Sequence, residues 1–402
     1  MKAVGVIVEY NPFHNGHAFH VQAARETANA DIVIAVMSGN FLQRGEPALV
    51  SKWYRTKMAL LGGVDLVFEL PYQFATQNAE VFADGAVSIL DAVHCESFCF
   101  GSESGDISSF LRTIDFMEEH QVTLNEKVKR HIKTGVSYPK ALALSFQEFN
   151  ETEGLLNLAK PNNILGFQYI KSVKKLNSQM KPLTVARMNA NYHDEHFASE
   201  TIASATSIRK ALFSPEDARP IDQYVPEQTR ELLREFSNLY GGFQQWENYW
   251  GYLQFRILQC SPEELRNIYE VEEGIENRLI AAALTSSSFQ EFMEKIKTKR
   301  YTWTRLQRIC VHILTNTARE GMKKPESAKY LRLLGMTQQG KAYLNKVKSG
   351  LKLPLVSKLS SYKQKEIMLD IKASQIYAFA LPEKVRNEFI QQEFKQSPII
   401  LE

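Results

Sequence analysis

The sequence predicts an α/β fold, a doubly wound parallel sheet, followed by a mostly α-helical, basic C-terminal domain. Three observations carry this. Short apolar runs alternate with helical patterns from Ala3 to Gly101, helical patterns dominate after Gln228, and charge is segregated between the two parts. Alternating strands and helices imply parallel strands joined by right-handed crossovers.

The elements follow in order. Ala3 to Val8 is a continuous apolar run, as expected of a strand buried on both faces. His17 to Asn29 reads as a helix, Ile32 to Met37 as the next strand, and Ser51 to Leu61 as a helix closed by Gly62-Gly63. Leu66 to Leu70 is a strand ended by Pro71, Asn78 to Ala92 a helix, and Ser97 to Phe100 a short strand ending at Gly101. The chain is then mostly helical to Ser172. Pro182 to Arg187 reads as one more strand, and a polar loop, Asn189 to Ser204, leads into a helix near Thr206. Pro215, Pro220 and Pro226 mark a boundary, dividing the chain into domains of residues 1–214 and 215–402. Beyond it come helical patterns at Gln228 to Leu239, Trp246 to Leu258, Pro262 to Ile268, Ile275 to Leu284, Ser288 to Lys297 and Thr304 to Thr315. Tyr377 to Leu381, in a lysine-rich end, has a strand-like pattern.

A chain of 402 residues exceeds one ordinary core, which agrees with two domains. No apolar run reaches the ~18–20 residues of a membrane span, and the run at Ala3 to Val8 is too short for a signal peptide, so a cytoplasmic protein is expected. Four cysteines form no disulfide framework and no Cys-x-x-Cys pair. Within the overall charge of +3, Glu291 to Glu402 carries 22 Lys plus Arg against 10 Asp plus Glu, leaving the preceding residues at −9. Such segregation points to a polyanionic partner, most often nucleic acid, or to a lysine-rich solvated surface.

Chemistry concentrates at two places. Asn11-Pro12-Phe13-His14-Asn15-Gly16-His17 follows the first strand and opens a helix. Two imidazoles three residues apart can face one phosphate group, Gly16 lets backbone approach closely, and the helix N-terminus favours anions. Ser204-Ala-Thr-Ser-Ile-Arg-Lys210 opens a second helix, where Thr206 and Ser207 can cap and Arg209 and Lys210 bring positive charge. Together they suggest ATP held between two helix N-termini. His14, His17, Ser207 and Arg209 are the candidate catalytic groups, acting through position and charge.

These two elements resemble the HIGH-type nucleotidyltransferases, with a Rossmann-like domain. Gly5 to His17, Met37-Ser-Gly-Asn-Phe-Leu-Gln-Arg-Gly-Glu-Pro47, Asp65 to Pro71 and Pro161-Asn-Asn-Ile-Leu-Gly166 further resemble the bacterial tRNA(Met) cytidine acetate ligase family. That resemblance implies a ligase that makes acetyl-adenylate and pyrophosphate from ATP and acetate. The acetyl group would then pass to the exocyclic amine of the wobble cytidine of elongator tRNA(Met), giving N-acetylcytidine and AMP. It implies an ATP site at Ile7, Val8, Glu9, Tyr10, Asn11, Pro12, Phe13, His14, Asn15, Gly16, His17, Ala18, Phe19 and His20, with Gly101, Asn162 and Arg187. Mg²⁺ is expected with the phosphates, and no protein-held structural metal, membrane or obligate protein partner is expected. A small-molecule adenylyltransferase of the same superfamily is the alternative.

Three features stay open. Lys297, Lys299, Arg300, Arg305 and Arg308, interleaved with Tyr301 and Trp303, suit RNA phosphates and stacked bases, although the aromatic residues can equally anchor a core. Lys52 and Arg55 reach either RNA or solvent. His193-Asp-Glu-His196 is a metal pattern or simply a polar loop beside the nucleotide; His94, Cys95 and Cys99 read as core.

Overall fold

The structure, a computed structural model, describes residues 1–149, 154–187, 201–214, 221–322, 326–362 and 364–402. β1 (Ala3–Val8) lies between β2 (Ile32–Ser38) and β4 (Ser97–Ser102), parallel to both. β3 (Leu66–Leu70) continues the sheet beyond β2, and β5 (Lys181–Ala186) beyond β4. The chain reverses its direction of growth at β1, so the crevice beyond the ends of β1 and β4 is the natural ligand site.

The uninterrupted apolar runs are explained by burial on both faces. Val4, Val6 and Val8 pack with Val33, Ala35 and Met37 on one side, and Ala3 with Ile32, Ile34 and Val36 on the other. Each such fully buried Val or Ile contributes about 1.5–3 kcal/mol. The Ala79–Ala92 helix seats on the sheet at Gly5, where an added Cβ would lie 2.5 Å from Leu90 Cδ2.

The sheet also recruits the C-terminal part. β6 (Leu331–Met336) runs antiparallel to β3, with Phe68 opposite Leu333 and Glu69 opposite Arg332. β7 (Leu355–Val356) and β8 (Ile399–Ile400) both pair with β6. The sheet therefore takes strands from both sides of the 214/215 division. The strand expected near Tyr377 to Leu381 does not form. Tyr377 lies in the Met368–Ala378 helix, whose Ile371, Ser374, Tyr377 and Ala378 are buried at helical spacing. A five-residue apolar run fits either element, and packing decided it.

Two helices frame the site. α1 (Asn15–Ala28) follows β1, and α2 (Lys52–Leu61) follows β2 with Ser51 as its cap. Neither surface role expected for Lys52 and Arg55 holds, because both are fully buried. Lys52 Nζ lies 2.8 Å from both Glu69 oxygens and 2.7 Å from Glu393 Oε1. Glu393 sits on the Glu383–Lys395 helix, so this network ties the end of the chain to β3. Arg55 donates to the carbonyls of Val50, Glu9, Ser38 and Gly39, fixing the loops that leave β1 and β2. Such partners offset the cost of burying these two cations.

Candidate active site

The site begins where β1 hands over to α1. Tyr10 takes φ 50° and the Asn11–Pro12 bond is cis, turning the chain so that His14 caps α1. The His14 and His17 rings stack with centroids 3.7 Å apart, and His17 Nδ1 accepts from the His14 backbone N–H at 3.3 Å. Gly16 is needed for a steric reason: a Cβ there would lie 2.9 Å from His14 Cε1. Asn15 points elsewhere. Its side chain donates to the carbonyls of Thr201 and Gln223, each at 2.9 Å, and its backbone N–H to Tyr224 O at 3.0 Å. It braces the segment leading into the Ala205–Phe213 helix.

A cavity of about 250 Å³ opens beside the imidazoles. Ile7, Val8, Glu9, Tyr10, Asn11, His14, Gly16, His17, Phe19 and His20 form one wall, and Gly101, Asn162 and Arg187 another. Thr206 and Arg209 close it from the Ala205–Phe213 helix. Pro12, Phe13, Asn15 and Ala18 are not among its walls; Phe13 is core, packed where a Cβ on Gly62 would meet it at 2.3 Å. The cap of the second helix is Ser204, not Thr206 or Ser207: its Oγ accepts the Ser207 N–H at 3.0 Å. The Ser207 hydroxyl turns back to the Ser204 carbonyl at 3.0 Å and does not line the cavity. That is a correction to its expected phosphate contact, since a short hydroxyl inside the first turn satisfies local backbone.

Electrostatics here are dominated by burial. Burial, then Arg187 and Arg209, brings His14 down to about 3. Burial, then Arg187, brings His20 down to about 4. Burial, then His14 and Arg187, holds His17 well below its usual range. All three imidazoles are therefore neutral at pH 7. Among the described residues, His14 Nδ1, His20 Nε2, Tyr10 Oη and Asn11 Nδ2 are buried without a hydrogen-bond partner. Each such orphan costs about 1–3 kcal/mol, so their concentration around one cavity points to a polar ligand that completes them.

Two guanidiniums flank the imidazoles. Arg187 Nη1 donates to Asn162 Oδ1 at 2.8 Å. Asn162 Nδ2 in turn donates to Glu103 Oε1 at 2.7 Å, and Glu103 also accepts the backbone N–H groups of Asn162 and Asn163. Arg209 donates to Asn11 O at 3.0 Å and to Glu46 Oε2 at 3.1 Å. The sequence held no signal for Glu103. Gln43, Arg44 and Glu46, also on the wall, lie in the Met37 to Pro47 motif, which marked the segment but not their roles. Glu9 Oε1 accepts the Gln43 N–H at 2.7 Å and the Ser38 hydroxyl at 3.3 Å.

The candidate RNA residues separate. Lys297, Lys299 and Arg300 are exposed, with Arg300 3.2 Å from Glu273. Arg305 lies over the Tyr301 ring at 4.6 Å and 3.2 Å from Glu272. Arg308 is buried and grips Glu270 through two bonds of 2.8 and 3.0 Å, which removes it from any RNA surface. Tyr301 is a core anchor whose hydroxyl donates to Glu272 O at 2.6 Å. None of these residues lines the cavity. Among the described residues no three His, Cys, Asp or Glu side chains cluster to hold a metal ion, and His193 to His196 lie outside those residues. Cys95 and Cys99 are buried, and burial pushes the Cys99 thiol up to about 12, whereas His94, also expected in the core, is exposed with its ring 3.0 Å from Gly350 O.

A family model described as HIGH Nucleotidyl Transferase matches residues 1–393. The tRNA(Met) cytidine acetate ligase of Bacillus subtilis is 50% identical over 404 residues, covering 99% of this chain and 97% of that protein. That of Lysinibacillus sphaericus is 48% identical, covering 99% and 100%. The crystal structure of apo Thermotoga maritima TmcAL superposes with a TM-score of 0.91 at 34% identity, covering all of both chains. The same protein bound with alpha-thio ATP gives 0.90 at 34% identity, again covering all of both chains.

Proposed function

The chain belongs to the tRNA(Met) cytidine acetate ligase family, within the HIGH nucleotidyltransferases, and from that premise we propose how its cavity works. It is an ATP-dependent ligase acting on tRNA. Acetate attacks the α-phosphorus of ATP, releasing pyrophosphate and forming acetyl-adenylate. The exocyclic amine of the wobble cytidine of elongator tRNA(Met) then takes the acetyl group, giving N-acetylcytidine and AMP.

The observation that carries this reading is the stacked, neutral His14–His17 pair at a helix N-terminus, flanked by Arg187 and Arg209. Neutral imidazoles donate hydrogen bonds to phosphate oxygens without a proton first being lost or gained. As charge moves onto the leaving pyrophosphate, those donors, the α1 dipole and the guanidiniums meet it already in position. Arg209 exchanges Glu46 for the β- and γ-phosphates, with Thr206 beside it, while Ser207 holds the helix start. Arg187 and Asn162 hold the nucleotide at the β4–β5 side. Mg²⁺ enters with ATP, as part of the substrate. Lys297, Lys299, Arg300 and Arg305 meet the tRNA backbone.

No helix of the described residues is long and apolar enough to cross a membrane. The ligase reading itself puts the work in the cytoplasm, where tRNA is, and calls for no obligate protein partner. A small-molecule adenylyltransferase would leave the +12 C-terminal stretch without a use. The test is a transfer assay with labelled acetate, ATP, Mg²⁺ and bulk bacterial tRNA, followed by nucleoside analysis. Label in acetylcytidine, only with ATP, is the expected result. Acetate-dependent pyrophosphate release with unlabelled RNA would move the acceptor elsewhere.

A further inference from the structure

We propose that the Glu9 carboxylate accepts the proton of the attacking cytosine amine, a role that rests on the ligase reading above. In the step, the cytosine N4 nitrogen forms a bond to the acetyl carbonyl carbon of acetyl-adenylate. The bond from that carbon to the phosphate oxygen breaks, AMP leaves with the electron pair, and the N4 proton passes to Glu9 Oε2.

Position comes first. Glu9 follows the last residue of β1 and leans toward β2, where Gln43 N–H and Ser38 Oγ hold its Oε1. Oε2 makes no hydrogen bond to any described residue, while Glu9 forms part of the cavity wall. One oxygen is thus fixed and the other is left for a donor. Gly101, Asn162 and Arg187, which hold the nucleotide in the ligase reading, lie at the opposite, β4 and β5 side, while Arg209, bonded to Asn11 O and Glu46, holds the leaving phosphates nearer the 37–47 loop. The switch in strand order, where a nucleotide sits, is at β1 and β4, so the β2 side is open to a second substrate.

Charge narrows the choice of ligand. A carboxylate beside Glu46 repels phosphate and acetate and favours a neutral group with an N–H to give. Cytosine N4 is such a group, and its lone pair is weak because it is delocalised into the ring. Losing a proton as the C–N bond forms lets it complete the attack. The three neighbouring imidazoles are poor acceptors, since burial depresses all of them. Glu9 moves the other way: burial raises its carboxyl above the ordinary value and Glu46 adds to this, against the Gln43 N–H, Arg44 and Arg55. The ionisable groups facing it are Arg44 and Glu46 from the 37–47 loop, Arg55 from α2 and Tyr169 from the Pro161–Lys175 helix.

The test supplies synthetic acetyl-adenylate and tRNA(Met), so that the second step is read alone in a single turnover. Glu9→Gln keeps an acceptor for the Gln43 N–H but cannot take a proton, and its transfer rate is expected to fall at least about 100-fold. The unmodified protein's rate should rise with pH through the Glu9 ionisation and level off, whereas the Gln variant stays low and flat. Glu9→Asp should recover part of the rate with the same pH dependence. Transfer by Glu9→Gln at the unmodified rate, with a raised KM for ATP in acetate-dependent pyrophosphate exchange, would overturn the proposal and make Glu9 a nucleotide contact. No transfer from acetyl-adenylate by the unmodified protein would overturn both the ligase reading and this one.

Discussion

The cavity and the basic C-terminal surface use the same kind of side chain for different ends. Arg209 is part-buried and Arg187 stands at the exposed rim of the cavity; Arg187 acts on the buried His14 and the half-buried His17 and His20, and Arg209 on His14. Lys297, Lys299 and Arg300 stand in water, and Arg300 is partly answered by Glu273. An exposed pair of that sort is worth about 0–1 kcal/mol and is screened by salt. Chemistry that depends on charge therefore belongs to the first region. Docking of a long polyanion, where many weak contacts add up, is what we propose for the second.

The sharpest challenge to that division is Arg308, which sits in the basic sequence but is buried against Glu270. Arg308→Ala leaves Glu270 charged and unpaired, so stability should fall by about 3–5 kcal/mol in denaturant titration. A variant that folded normally and only bound tRNA less well would return Arg308 to the RNA surface. Next comes the cavity itself. Arg209→Ala should lower acetate-dependent ATP–pyrophosphate exchange by about 100-fold, and added salt should not reproduce the loss.

Acid offers a third comparison. His14, His20 and His312, pushed to about 3, 4 and 4, and His17, also depressed, are bases held neutral by folding. Below their unfolded pKa near 6.5 the unfolded chain binds more protons than the folded one, so stability falls as pH falls. Each imidazole costs about 0.7 kcal/mol between pH 7 and 6, roughly 2–3 kcal/mol for the four, readable as a lowered Tm. ATP should offset part of this for the cavity histidines, because phosphate charge raises their pKa, but not for His312. The smallest effect is expected at the surface. Replacing Lys297, Lys299 and Arg300 together with Ala should weaken tRNA binding about 10-fold and make the plot of log affinity against log salt shallower by about 2–3. An unchanged slope would leave the basic surface without contact to RNA.

The sequence made the parallel sheet legible because strands buried on both faces leave unbroken apolar runs, as in Ala3–Val8 and Ile32–Ser38. It hid β6, because Leu331–Met336 carries Arg332 and sits in a lysine-rich stretch. Arg332 is nonetheless buried opposite Glu69, a pairing between residues far apart in the chain. The same limit applies at Lys52, whose partners Glu69 and Glu393 meet it only in the fold. In the cavity, His14, Gly16 and His17 stood out as a local motif. Glu103 did not, since its link to Asn162 and Arg187 is made across loops. Ser207 misled because capping and phosphate binding favour the same residue types at a helix start, and Ser204 had already taken the cap.

The central claim is that the neutral imidazole pair carries the adenylation step. The direct measurement is acetate-dependent ATP–pyrophosphate exchange, without tRNA, for the unmodified protein and His17→Ala. A fall of about 100- to 1,000-fold in the exchange rate, with the variant still folded, is the expected result. Exchange by His17→Ala at the unmodified rate would contradict the account and place the chemistry outside this cavity.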